Sequence, residues 1–189
     1  MSNGTRGDIN NVDFRKQRPP RVPYEQMRLV ANALAAEAFK VYQSIQYRDW
    51  VPLAAQQREI QLGVRRPTVE EVERAREIVA KAKDPKKLVS REEIYAGETL
   101  AMKDYPPQVS IILQTLQIGD LGIAAIPCET FVEIGLELKR RSPFKPTFTI
   151  ELANGYNGYL PTPEHHRFGG YETWRAKSSY LEVDASPKI

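Results

Sequence analysis

Cysteine is all but missing from this 189-residue chain, with Cys128 the single example. That excludes an internal disulfide framework and a paired-cysteine metal motif. It leaves the redox compartment open, and in its apolar run the thiol reads as a small buried side chain. Histidine is scarce as well, with only His165 and His166. No run of 18 apolar residues occurs, so no membrane span is expected. The opening Ser2-Asn3-Gly4-Thr5 predicts no signal peptide among these residues. If the full-length parent is exported or periplasmic, its signal lies upstream, and Met1 reads as an internal methionine. A Gly-rich phosphate loop and a nucleophile elbow are both lacking, which removes support for nucleotide chemistry and serine-triad hydrolysis. Charge of one sign is lacking too, since Lys+Arg 27 against Asp+Glu 24 gives a formal +3. The basic residues scatter except for Arg15, Lys16, Arg18 and Arg21, a run with no aromatic residue inside it. It reads as a solvated loop, and a sequence pI near 8.9 is the sole argument for a nucleic-acid partner, so none is expected.

What is present fits one α/β domain. Residues 1–23, with Gly4, Gly7, Asn10, Asn11 and the prolines 19, 20 and 23, read as a loop entering a domain already under way. From Tyr24 to about Ile45 apolar positions recur at three- and four-residue steps, predicting a helix that packs on a sheet. Residues 58–64 alternate as a strand. Thr68 with Glu71 and Ser90 with Glu93 spell capping boxes for helices running to about Ala82 and Lys103. The apolar runs from Val109 to Pro127, broken at Gly119-Asp120, predict a hairpin or two neighbouring strands in a covered sheet. Thr130 with Glu133 spells a third box, for a helix to about Arg141, and strand Thr147 to Leu152 follows. The remainder, rich in Gly, Asn and Tyr, reads as the kind of loop in which α/β proteins keep their chemistry. Capped helices and apolar strands together predict a mixed β-sheet covered by helices.

Candidate chemistry is sparse. Glu129 falls between a buried strand and a helix start, where helix amides favour a negative charge. Position alone reads it first as a capping carboxylate and second as a metal ligand or base. The adjacent His165 and His166 offer imidazole, a common ligand, but their spacing fits no standard zinc signature and a zinc site needs three or four protein donors. Arg6-Gly7-Asp8 and Asn3-Gly4-Thr5 match an adhesion tripeptide and a glycosylation acceptor, triplets too short to carry weight.

Several words together resemble the neutral/alkaline non-lysosomal ceramidase family, in particular its uncharacterised bacterial members. They are Ile126-Pro127-Cys128-Glu129-Thr130-Phe131, Leu152-Ala153-Asn154-Gly155-Tyr156-Asn157-Gly158-Tyr159, and Thr162-Pro163-Glu164 through Gly169-Gly170-Tyr171-Glu172-Thr173-Trp174. Near the start, Asn3-Gly4-Thr5-Arg6-Gly7-Asp8-Ile9-Asn10-Asn11 is similar to that family's Gly-Asp loop, while residues 24–118 match only in order of elements.

The resemblance implies a layered sandwich and a zinc-dependent amide hydrolase acting on an amide-containing lipid or small molecule. In such enzymes two histidines of the N-terminal half, a glutamate and a tyrosine hold one zinc ion. The glutamate corresponds to Glu129, and the tyrosine position to His166, an imidazole in place of a phenol. Where the family has a catalytic serine after the Gly-Asp pair, this chain has Asn10, an amide able to donate to substrate or oxyanion. Tyr156, Tyr159, Tyr171 and Trp174 are candidates to line an apolar or sugar-binding channel. The two upstream histidines have no counterpart. Residues 1–189 are therefore expected to be the C-terminal portion of one catalytic domain, a fragment inactive without its missing N-terminal half. The alternative is a non-catalytic remnant or interaction domain that keeps the fold.

Overall fold

The structure, a computed structural model, describes every residue except Met1, Asn11, Arg18, Pro19 and Arg21. Met1, the last residue of the Gly-Asp word and part of the basic entry loop thus lie outside the described residues. Contacts divide the chain into two units, residues 10–51 and the rest.

The smaller unit is built around helix α1 (Glu25–Gln43). Its apolar positions follow the helical repeat, yet the burial expected of them is not found, because no residue of α1 is buried.

The larger unit centres on a mixed four-stranded sheet of β1 (Leu53–Gly63), β2 (Gln108–Ile118), β3 (Leu121–Ile126) and β5 (Thr147–Glu151), in the order β1-β2-β3-β5. The α/β class read from the sequence is the one observed. Strands β1, β2 and β3 are antiparallel, and the predicted hairpin between β2 and β3 turns at Gly119, whose φ of 60° favours glycine. A parallel neighbour cannot be reached by a tight turn. Accordingly β5 joins β3 in parallel only after a crossover through β4 (Glu129–Thr130) and α4 (Val132–Arg141), and α4 lies against β5.

Helices α2 (Val69–Lys81) and α3 (Arg91–Met102) carry both predicted capping boxes, from Thr68–Glu71 and Ser90–Glu93. They pack on each other and bury Val72, Ala75, Ala96 and Met102. The main core gathers Leu62, Ile111, Ile126, Phe131 and Leu160 around Cys128. That thiol is fully buried, and burial pushes its pKa up to about 12. Cover over the sheet is uneven. Leu53 is 73% exposed and Ile118 45%, so the far end of the β1–β2 ladder lies open.

Two local expectations need correction. Thr130 does not cap α4: its backbone is committed to the ladder of β4, its hydroxyl donates to the Cys128 carbonyl at 3.3 Å, and Phe131 takes the cap position without a side-chain bond. The loop carrying the histidines is not wholly irregular either. It holds β6 (Tyr159–Leu160), parallel to β4, and a short helix α5 (Pro163–Phe168) capped by Thr162, with Pro163 in its first turn.

Candidate functional site

Strand β3 ends at Ile126, and the chain passes through buried Pro127 and Cys128 before Glu129 opens β4. Pairing with β6 fixes that backbone: the Glu129 amide donates to the Gly158 carbonyl at 2.9 Å and the Phe131 amide to the Leu160 carbonyl at 3.2 Å. The Glu129 side chain points among phenols. Tyr156 Oη donates to Glu129 Oε1 at 3.0 Å. Burial, then the Glu129 carboxylate, raises the Tyr156 pKa. Tyr159 is raised further, first by burial and then by its bond with Tyr171. Both phenols therefore stay protonated and able to donate near neutral pH. Rings of Tyr159 and Tyr171 meet edge-on with centroids 5.8 Å apart. Trp174 is packed on α3, edge-on to Tyr95 at 5.3 Å and under the Arg91 guanidinium at 5.2 Å.

The Gly-Asp word is laid directly over β4. The Gly7 amide donates to the Thr130 carbonyl at 2.8 Å, and a Cβ at Gly7 would sit 2.7 Å from the Glu129 carbonyl carbon. Only glycine allows backbones this close. Asp8 Oδ1 then accepts from the Val132 amide at 2.9 Å, which supplies from 124 residues away the cap that Thr130 does not. Beneath this word Glu151, 4% exposed, accepts from the Arg6 amide at 3.2 Å and the Thr130 amide at 3.1 Å, and its Oε1 meets Arg6 Nε at 3.2 Å. Burial raises its pKa, while the two backbone amides and the Arg6 charge oppose the rise. One carboxylate thus joins the N-terminal segment, β4 and β5.

The two histidines of α5 face different neighbours. His165 Nδ1 lies 2.7 Å from Thr162 Oγ1, its ring stands edge-on to Phe131 with centroids 4.9 Å apart, and Nε2 is 3.8 Å from Glu133 Oε1. His166 is half-buried; burial first, then the Arg65 charge, lowers its pKa, with Asp184 opposing. Its imidazole is accordingly neutral at pH 7, the form a metal requires. Arg65 itself is fixed by bonds of 2.8 Å to the Leu181 carbonyl, 2.8 Å to Thr173 and 2.7 Å to Ser179, and burial pulls its pKa down to about 10.

Among the described residues, the His, Cys, Asp and Glu donors that converge as a group of three are those of Asp8, Glu133 and His165, all within 4.8 Å of one another. Glu129 and His166, the ligands expected from the sequence, are not in that group. Carboxylate and neutral imidazole are both zinc donors, so Glu129 and His166 fit the ion in kind, though two donors do not fill its shell. Asn10 is exposed and is the first residue of the smaller unit. Sequence reasoning passed over Asp8 and Glu133 as donors. No local spacing signals that they meet, because the fold brings them together from opposite ends of the chain.

No family model and no curated protein matches the sequence. Solved structures do share the fold. The neutral ceramidase from Pseudomonas aeruginosa superposes with a TM-score of 0.55 at 16% identity, covering 89% of this chain and 32% of that one. A ceramidase complexed with C2 gives 0.54 at 14% identity, covering 87% and 32%. At such identity the likeness is one of fold. The chain has a ceramidase-like α/β fold spanning about a third of the length of these neighbours.

Proposed function

We propose that this chain is the C-terminal portion of a zinc-dependent amide hydrolase of the neutral/alkaline ceramidase type, and that Glu129 and His166 are its contribution to the metal shell. The observation that carries the reading is the fold likeness over 89% of the chain. Zinc in such a site lowers the pKa of a bound water and polarises the substrate carbonyl. The chain's own residues would do the rest. Glu129 would hold the ion through the oxygen that Tyr156 leaves free, and His166 would hold it as neutral imidazole. Tyr156, its hydroxyl donating to Glu129, would orient that carboxylate, and Tyr159, kept protonated, would donate to oxygen as negative charge develops on it. An amide-containing lipid suits this arrangement, with Tyr171 a candidate to line its path. The remaining ligands would come from an N-terminal half of the same domain.

One observation favours the alternative, a non-catalytic remnant that keeps the fold: two donors fall short of the three or four that zinc needs. On either reading the chain alone turns over no amide substrate. The two are separated by NMR of the imidazole nitrogens, in which only two histidines resonate. Titration with zinc is expected to shift the His166 ring nitrogens, and Glu129→Gln is expected to weaken that shift. A His166 ring that ignores zinc in the wild-type chain would remove the metallohydrolase assignment.

A further inference from the structure

We propose that Asp8, Glu133 and His165 form a second divalent-cation site, separate from the Glu129–His166 pair. The three donors come from three elements, the N-terminal loop, the first turn of α4 and the first turn of α5, and each is held by contacts of its own. Asp8 spends Oδ1 on the Val132 amide, which fixes the carboxylate and leaves Oδ2. Glu133 is anchored by α4, in whose first turn it stands. The His165 ring makes edge-on contacts with Phe131 at 4.9 Å and Phe168 at 6.0 Å between centroids.

The tautomer can follow the ion. Thr162 Oγ1 already accepts the His165 backbone amide at 3.3 Å and lies 2.7 Å from Nδ1. A hydroxyl oxygen has two lone pairs, so it can accept from Nδ1–H as well, leaving the Nε2 lone pair toward Glu133. That is the outer-shell arrangement that orients metal-bound histidines. At 3.8 Å from Glu133 Oε1, Nε2 is too far for a hydrogen bond, yet well placed to share a cation.

Donors around one tetrahedral zinc, at ~2.0–2.1 Å, stand roughly 3.3 Å apart. A cluster whose donors lie within 4.8 Å would close by up to about 1.5 Å, within the reach of side-chain torsions. Access is open on the side of Glu133, whose side chain is 48% exposed and lines, with Thr162, a cavity of 760 Å³ beside α4. One imidazole with two carboxylates suits zinc or manganese over calcium, which prefers an all-oxygen shell. Two anionic donors balance the charge of a divalent ion, and the three donors leave one position for water on tetrahedral zinc or three on octahedral manganese. Holding the N-terminal loop, α4 and α5 on one ion would give it a structural role.

The test uses the whole chain with zinc, manganese and calcium chlorides as separate probes, read by calorimetry and by the imidazole-nitrogen spectrum. Zinc is expected to shift the His165 ring nitrogens. Asp8→Asn and Glu133→Gln are each expected to weaken the corresponding affinity about tenfold or more, while Glu129→Gln leaves it unchanged. Asparagine caps a helix as well as aspartate, so Asp8→Asn keeps α4 intact and separates ligand loss from misfolding. Affinity indifferent to both Asp8→Asn and Glu133→Gln, or a zinc response confined to His166, would overturn the proposal and leave the Glu129–His166 reading standing. Zinc acting on His165 alone would support the second site and count against the first. Calcium binding more tightly than zinc would also overturn it.

Discussion

Replacing Gly7 by alanine tests the close approach on which the site is built. The added methyl would lie 2.7 Å from the Glu129 carbonyl carbon and 3.1 Å from that of Thr130, where ordinary contact begins near 3.4 Å. Both obstacles are backbone, and β4 is tied to β6 by amide bonds on either side of them, so no side chain can swing aside. The loop must retreat by roughly 0.7 Å or more, which weakens the Gly7–Thr130 bond and the Asp8 cap of α4. Overpacking of this kind costs about 1–3 kcal/mol, and a weakened cap about 1 kcal/mol. The expected loss is therefore about 2–4 kcal/mol, or roughly 5–15 °C in Tm for a unit of this size. Urea unfolding followed by far-UV circular dichroism measures it. Gly4→Ala is the control, because its methyl would meet nothing nearer than the Thr149 carbonyl oxygen at 3.9 Å. Should Gly7→Ala unfold within about 0.5 kcal/mol of the wild type, the range of an ordinary surface change, the approach of the loop to β4 would be wrongly described.

Two further outcomes follow from charge and burial. Glu71 joins Arg175 at 2.8 Å, and that bond, the largest influence on the carboxyl, outweighs its partial burial and holds its pKa below the usual 4.5. A depressed carboxylate contributes stability that is fully present above its unfolded pKa and is lost as pH falls through the folded value. Glu71→Gln should therefore narrow its deficit against the wild type between pH 6 and pH 3; a deficit constant across that range would deny the ion pair any role. Cys128, with its thiol pKa near 12 and no exposure, should resist a thiol reagent in the native chain and react at once in denaturant. Stoichiometric labelling of the native protein within seconds would contradict the core described above.

Legibility in the sequence followed the range of the interactions. Helices α2 and α3 could be read because cap and partner lie three residues apart, and the β2–β3 hairpin because its turn residues stand between two apolar runs. The same local logic failed at Thr130 and Glu133, where the spacing of a capping box is present but the threonine backbone is claimed by β6, a strand of two residues that leaves no periodic trace. Helix α5, with six residues between prolines and glycines, is too short to rise above its flanks. The apolar face of α1 was visible but its burial was not, since a pattern states what could be covered and not what covers it. At the candidate sites, chemistry could be read residue by residue, Glu129 and His166 through resemblance. The company each residue keeps could not, because Asp8 meets Val132, and Arg6 meets Glu151, across more than a hundred positions.

The strap from Arg6 to Asp8 also imposes an order of events on the growing polypeptide. Its residues leave the ribosome well before their partners at Val132 and Glu151, which follow more than a hundred positions later. Contacts so distant in sequence form slowly, since the entropy of closing the intervening loop must be met before they stabilise anything. This strap is thus among the last parts to find its place, and α4 waits uncapped until it does.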